Sequence, residues 1–329
     1  MASSSNIPVL IVLPILWALL PFFYLFKLLT FILRRFRTEN LRGKVVLITG
    51  ASSGIGEHLT YEYAKRGACL VIVARRENLL IKVAEKARQL GSPDVLHICA
   101  NVRKADDCRD FVEKAVNHFG RLDHVVNNAG IACMCFIEDT ADITKFTEMM
   151  DVNFWGSVYP TYFAIPHLKK TRGSVFVNAS AGGILNPPGM SIYSASKAAL
   201  LSFCDTMSVE LAPEISVTVA TLGVIDSEIT QGGKQLTMEG TMDVKSYFAI
   251  CGADKMPSMG ASDCAEAIVD AICQKERCVT EPKWYMILLL LKTLFPDLIE
   301  WTSRRTCLML KTNVAKTALL TPPSQDKIE

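Results

Sequence analysis

Apolar and polar positions follow two rhythms along this chain. Short β-branched or apolar runs at Val45–Thr49, Cys69–Ala74, Val95–Ala100, Leu122–Val126, Ser174–Asn178 and Val217–Thr221 read as buried strands. Between them, segments near 56–66, 78–90, 106–119, 144–170 and 193–212 carry the spacing of helices with one apolar face. Strand followed by helix, repeated, predicts a doubly wound parallel sheet, an α/β fold of Rossmann type in which ligands gather at the carboxyl ends of the strands. No internal repeat or low-complexity linker divides residues 41–280, which read as a single catalytic domain.

Both ends depart from these rhythms. Residues 7–26, from Ile7 through Phe26, hold no charge, and an apolar run continues beyond Lys27 to Leu33. About 20 apolar residues suffice to cross a bilayer as a helix, so 1–40 are predicted to be a hydrophobic membrane anchor with a basic flank. A cleaved signal peptide is the alternative, but the start carries no Lys or Arg and no small-residue cleavage site. Lys27, Arg34, Arg35, Arg37, Arg42 and Lys44 follow, which places the domain on the cytosolic side. Pro8, Pro14 and Pro21 leave open a bent hairpin held in one leaflet, including the leaflet that covers an oil droplet.

At the other end, Trp284 to Leu291 opens a second apolar segment within 281–315, broken by Lys292 and Pro296 and closing near Trp301, Arg304 and Arg305. A helix lying at a membrane interface and a helix packing a homodimer both suit it. Residues 316–329 read as a disordered polar tail. Residues 224–260, rich in Gly, Met, Ser and Thr, suit either a mobile lid or a surface insertion. Ile225, Ile229, Met242, Phe248 and Met256 within them could line a site for a flat hydrophobic alcohol or belong to the core.

Composition removes several classes of function. The 329 residues carry a formal charge of +2, so no basic field marks a nucleic-acid partner. Eleven cysteines are scattered without a CxxC pair or His-Cys ligand spacing, which argues against a disulfide framework and a metal site and for a reducing compartment.

The candidate chemistry lies at the strand ends. After the first strand come Gly50, Ala51, Ser52, Ser53, Gly54, Ile55 and Gly56, a glycine turn into a helix. Glycines permit a tight turn and close approach of a ligand, and the helix's unpaired N–H groups face a pyrophosphate. Arg75 and Arg76 end the second strand where an acidic residue would bind a ribose hydroxyl. Arginine there can pair with a 2′-phosphate, which favours NADP(H) over NAD(H), although two solvated arginines opening a helix would look the same. Tyr193 and Lys197 share one helix face at i and i+4, where an ammonium group would lower the phenol's pKa. Ser180 follows a strand thirteen residues earlier and can meet the same substrate oxygen.

Thr49 through Gly56, Asn127-Asn128-Ala129-Gly130, Asn153, Ser180 and Tyr193-xxx-Lys197 occur in the order of the short-chain dehydrogenase/reductase family, which residues 42 to 275 resemble. Within it the chain resembles the plant hydroxysteroid dehydrogenases of the steroleosin group, also termed 11-beta-hydroxysteroid dehydrogenase-like. Tyr61 to Ala68, Asn153 to Tyr162, Trp284-Tyr285 and the proline-bearing apolar start carry that likeness.

The resemblance implies an NADP(H)-dependent oxidoreductase acting on a hydroxysteroid or other lipophilic alcohol or ketone. It also implies attachment to the endoplasmic reticulum membrane or a lipid droplet. Tyr193 is the implied general acid/base, Lys197 the residue that holds the nicotinamide ribose, Ser180 the residue that orients substrate, and Asn153 the residue that bends its helix and holds a water beside Lys197. Gly50, Ser52, Ser53, Gly54, Ile55, Gly56, Arg75, Arg76, Asn101, Val102 and Asn128 are the implied coenzyme contacts. Two departures stand out: Asn101 occupies a position where Asp is common beside the adenine, and Leu222 replaces the Pro that often precedes Gly223, which predicts a looser backbone there. These departures, with the large anchor, support a second reading as a structural lipid-droplet protein with vestigial catalysis.

Overall fold

The computed structural model describes residues 14–15, 17–26, 29, 38–232, 236, 241–252 and 255–320, with side chains as far as 313. Seven strands form one sheet: β1 (Val45–Thr49), β2 (Cys69–Ala74), β3 (Val95–Cys99), β4 (His124–Asn127), β5 (Ser174–Asn178), β6 (Ser216–Ala220) and β7 (Cys278–Val279). Their order is β3-β2-β1-β4-β5-β6-β7 and every pairing is parallel. The order reverses between β1 and β4, so a crevice opens at the carboxyl ends of these two strands.

Alternation along β1 shows why the sheet needs helices on both faces. Val46 and Ile48 face one core with Leu59, Tyr63, Leu80 and Ile268, whereas Val45 and Leu47 face another with Phe111, Leu168 and Leu200. Burying each such side chain stabilises the fold by about 1.5–3 kcal/mol. Helices α1 (Gly54–Lys65), α2 (Glu77–Gln89) and α7 (Ala261–Cys273) cover the first face. Helices α3 (Ala105–Phe119), α4 (Gly156–Thr171) and α5 (Ser191–Glu210) cover the second. Later in the chain lie α6 (Val244–Cys251), α8 (Tyr285–Leu294) and α9 (Pro296–Leu320).

The segment predicted as one helix over 144–170 is broken. Short turns from Ile143 lead into a π-helical turn at Asp151–Trp155 before α4 begins. Asn153 sits in this π-turn, fully buried, with its amide engaged by neighbouring strand and helix ends. The lid prediction for 224–260 is refined in the same way: it contains α6 and the two-residue pair Ile225–Asp226 with Met259–Gly260. Helix α9 continues to Leu320, five residues into the predicted tail, and the rest of that tail lies outside the described residues.

Residues 1–40 form a separate unit. Within it, residues 17–26 are helical, with Trp17, Phe22, Leu25 and Phe26 exposed. Much of the predicted anchor, including Pro8, Lys27, Arg34, Arg35 and Arg37, lies outside the described residues. Among those described, no helix is long and apolar enough to cross a membrane.

Candidate active site

The glycine turn is shaped as much by packing as by any ligand. A Cβ on Gly50, whose φ is +68°, would stand 2.8 Å from the Ala129 Cα, and one on Gly56 would stand 2.4 Å from both Gly50 O and Asn128 Nδ2. The turn can therefore lie against the end of β4 only with glycine at both positions. Asn128 ties the layers together: its Nδ2 donates to Thr49 O at 3.2 Å and its Oδ1 accepts from Asn178 Nδ2 at 3.0 Å. Gly54, with φ of +60°, opens α1. Ser53 is the N-cap residue but makes no side-chain capping bond, so the first-turn N–H groups point at the crevice without a capping acceptor.

A groove of about 250 Å³ runs from this turn along the strand ends, lined by Gly50, Ser52, Arg75, Arg76, Asn101 and Val102 among others. The groove brings together most of the residues expected at the adenosine end of a dinucleotide. Val102 packs under the start of α4, where a Cβ on Gly156 would lie 2.8 Å from its Cγ2. Asn101 places its Oδ1 on the Arg103 N–H at 3.2 Å, and its own N–H donates to the Asp107 carboxylate at 2.9 Å. Arg75 is exposed, whereas Arg76 is turned back onto Ser52, Ser53 and Glu228. A helix amino end, a glycine cradle and two guanidinium groups in one groove fit a phosphate-bearing dinucleotide.

The second cluster lies across the same strand ends. Lys197, buried on α5, brings its Nζ to 5.9 Å from the centre of the Tyr193 ring and donates to Asn178 O at 2.8 Å. Ser180 accepts from the Gly182 N–H at 3.0 Å and donates to Leu222 O at 3.3 Å. Asn153 reaches from the π-turn: its Oδ1 accepts from the Ile131 N–H at 2.9 Å, and its Nδ2 donates to Ile131 O and Ser196 Oγ, both at 3.0 Å. A Cβ on Gly130 would sit 3.4 Å from Asn153 Oδ1 and 3.7 Å from Lys197 Nζ. Absence of a side chain there keeps the lysine and the asparagine on a common space.

The expected lowering of the phenol pKa is not seen. Burial pushes Tyr193 above its ordinary value, and the hydrogen bond with Ser180 pulls it only part of the way back. Burial also brings Lys197 down to about 8, which weakens the cation that was to stabilise a phenolate.

Tyr193 and Ser180 stand at a larger cavity of about 370 Å³, whose lining is mostly apolar. Ile225, Ile229, Phe248 and Met256 line it as one of the two sequence readings had it, whereas Met242 packs in a neighbouring core instead. The backbone under the site is not loosened by Leu222. Ala181 N–H donates to Leu222 O at 2.8 Å, Gly223 N–H to Glu281 O at 2.8 Å, and Val224 N–H to Tyr285 Oη at 3.2 Å. A Cβ on Gly223 would fall 1.9 Å from the Tyr285 ring, so hydrogen bonds and ring contact supply the constraint that proline would have supplied.

The sequence pattern of the short chain dehydrogenase family matches residues 44–236. This chain belongs to the short-chain dehydrogenase/reductase family. Among curated relatives, this short-chain dehydrogenase is 50% identical over 285 residues to 11-beta-hydroxysteroid dehydrogenase 1A of Arabidopsis thaliana, covering 87% of this chain and 81% of the relative. It is 48% identical, over the same shares, to 11-beta-hydroxysteroid dehydrogenase A of Arachis hypogaea. A short chain dehydrogenase/reductase from Burkholderia phymatum in complex with NAD superposes with a TM-score of 0.71 at 22% identity, covering 79% of this chain and 96% of that one. An alcohol dehydrogenase from Thermococcus sibiricus complexed with 5-hydroxy-NADP gives 0.62 at 26% identity, covering 73% and 96%. The family is one of oxidoreductases.

Some of this short-chain dehydrogenase's site was not legible beforehand. Tyr285 entered only through the Trp284-Tyr285 likeness, and Gly182 and Glu228 carried no motif. Neither did Ile299, Thr302, Ser303 and Thr306 of α9, which together with Leu288 of α8 line the large cavity. The C-terminal segment was read as a membrane or dimer contact, and the structure gives its inner face to the cavity. The i, i+4 threonines Thr302 and Thr306 are a weak signal, set in a helix that also carries Asp297, Glu300, Arg304 and Arg305.

Proposed function

We propose that this short-chain dehydrogenase exchanges hydride between NADP(H) and a hydroxysteroid or ketosteroid at a lipid surface of the endoplasmic reticulum or a lipid droplet. The observation that carries the reading is Tyr193, Ser180 and Lys197 meeting at the floor of an apolar cavity whose volume lies within the range of small-molecule sites. The names of the plant relatives and the paired Arg75 and Arg76 support the substrate class and the coenzyme.

In this reading the nicotinamide, when bound, supplies the hydride chemistry. Tyr193 donates its phenolic proton to the substrate oxygen during reduction and accepts it during oxidation. Ser180 orients that oxygen: its present bond to Leu222 O is long, so its proton is readily given over to a substrate. Lys197 uses one of its three donors on Asn178 O and offers the others to ribose hydroxyls. Asn153 fixes the π-turn and, through Ser196, the first turn of α5 on which Tyr193 sits.

The test is turnover by the full chain in detergent with a panel of hydroxysteroids and ketosteroids and both nicotinamide coenzymes. Activity is expected with NADP(H) in preference to NAD(H), and Tyr193→Phe is expected to lower kcat by about 10²–10⁴-fold while coenzyme affinity holds. Absence of turnover with every sterol-like alcohol and ketone, on either coenzyme, would sink the proposal.

A further inference from the structure

Arg76 joins parts of the chain that are distant in sequence. Its guanidinium donates to both carboxylate oxygens of Glu228, at 2.6 and 2.8 Å, and to Ser53 Oγ at 2.7 Å and Ser52 Oγ at 3.1 Å. The Ser53 hydroxyl closes onto the same carboxylate. Arg76 lies two residues past β2 as the N-cap residue of α2, the serines belong to the glycine turn, and Glu228 lies just beyond the backbone stretch under the active site. The segment bearing Glu228 also rests on the turn itself: a Cβ on Gly54 would meet Ser227 Cβ at 3.5 Å and Glu228 N at 3.6 Å. That is the amino end of α1, where a pyrophosphate would approach.

An arginine fork held by a carboxylate presents the donors that a phosphate would take. We propose that Glu228 is a latch, an internal occupant of the phosphate-reading guanidinium that holds residues 225–231 against the glycine turn until the coenzyme displaces it. The proposal rests on the reading that Arg76 meets the coenzyme's 2′-phosphate. Glu228 thereby sets coenzyme affinity and ties coenzyme binding to the substrate cavity. The segment moves as a unit, because Thr230 Oγ1 donates to Ser227 O and Ile225 O and accepts from the Ser227 N–H, all within 2.9–3.0 Å. Ser227, Ile229 and Thr230 line the large cavity, so opening the latch changes its wall.

The test compares the full chain with Glu228→Gln, Arg76→Ala and the double variant. It measures NADPH and NADH dissociation constants by coenzyme fluorescence, and amide hydrogen exchange of 225–231 without coenzyme. Glu228→Gln is expected to tighten NADPH by about three- to tenfold and NADH by less. That gain is expected to vanish in the Arg76→Ala background, and exchange over 225–231 to quicken in either single variant. If Glu228→Gln leaves NADPH affinity and exchange unchanged, or weakens NADPH, the latch is wrong. Arg76→Ala separates this from the coenzyme reading. If it weakens NADPH and spares NADH, that reading stands whatever Glu228 does; if it spares both, the coenzyme reading falls and the latch with it.

Discussion

Tyr193 holds its proton more tightly than a free phenol, because burial penalises the phenolate more than Ser180 relieves it. A phenol with a raised pKa is protonated at neutral pH, ready to act as an acid and reluctant to act as a base. Ketone reduction is therefore expected to run at a flat kcat/KM from pH 6 to 7.5, where Lys197, near 8, largely keeps its charge, whereas alcohol oxidation climbs with pH as Tyr193 loses its proton. Paired pH profiles in the two directions check this, and an oxidation profile already level at pH 7 would contradict it. Gly182 acts on the same pair. A Cβ there would stand 3.3 Å from Ser180 Oγ and 3.4 Å from Tyr193 Cε1. Gly182→Ala is expected to lower kcat by about tenfold through misplacement of the hydroxyl, with the coenzyme dissociation constant unchanged.

At the scale of elements, the sheet is joined at its other end by Asp123. Its carboxylate, fully buried before β4, accepts from the Val45 N–H at 3.0 Å, from Arg121 at 2.7 and 2.8 Å and from Lys44 at 3.2 Å. Burial alone would raise its pKa, but these partners outweigh that effect and hold it below the usual carboxylate value. A depressed folded pKa gives stability that is full above the unfolded value of about 3.9 and is lost as pH falls through the folded one. Asp123→Asn is expected to cost about 3 kcal/mol at pH 7, since it leaves Arg121 and Lys44 without their anion. Denaturant melts at pH 7 and pH 3 should show the gap between wild type and variant narrowing in acid.

The strands around Asp123 were legible because a buried parallel strand leaves a short unbroken apolar run. β1, β2 and β5 begin and end where the hydropathy placed them. The π-turn at Asp151–Trp155 was not, because one extra residue in a helix leaves no mark on a period read across the whole of 144–170. Helix α7 keeps helical spacing at Cys264, Ala265, Ile268, Val269 and Ile272, so its apolar face was there to be read.

For the molecule as a whole, the motifs located the reacting groups: Ser180 follows the end of β5, and Tyr193 and Lys197 share one face of α5. The part of the cavity wall that was hidden comes from α8 and α9, far along the chain. The outer face of those two helices sets the remaining question. Met286, Ile287, Leu290, Leu294, Phe295, Leu298 and Trp301 are each at least half exposed, and Arg305 stacks on Trp301 at 4.6 Å. Apolar faces of this extent on a folded domain mark contact with a lipid surface or another chain, and the aromatic and basic residues at the far end favour lipid. Since residues 41–329 hold both cores, deleting 1–40 is expected to leave a folded protein that still binds the coenzyme. That shortened protein should float with phospholipid vesicles. Leu290→Glu combined with Leu294→Glu should abolish flotation while leaving coenzyme affinity unchanged, because neither side chain lines the cavity. If the shortened protein stays in solution as a dimer, and the same two charges split it, the face is a subunit contact and not a lipid-facing one.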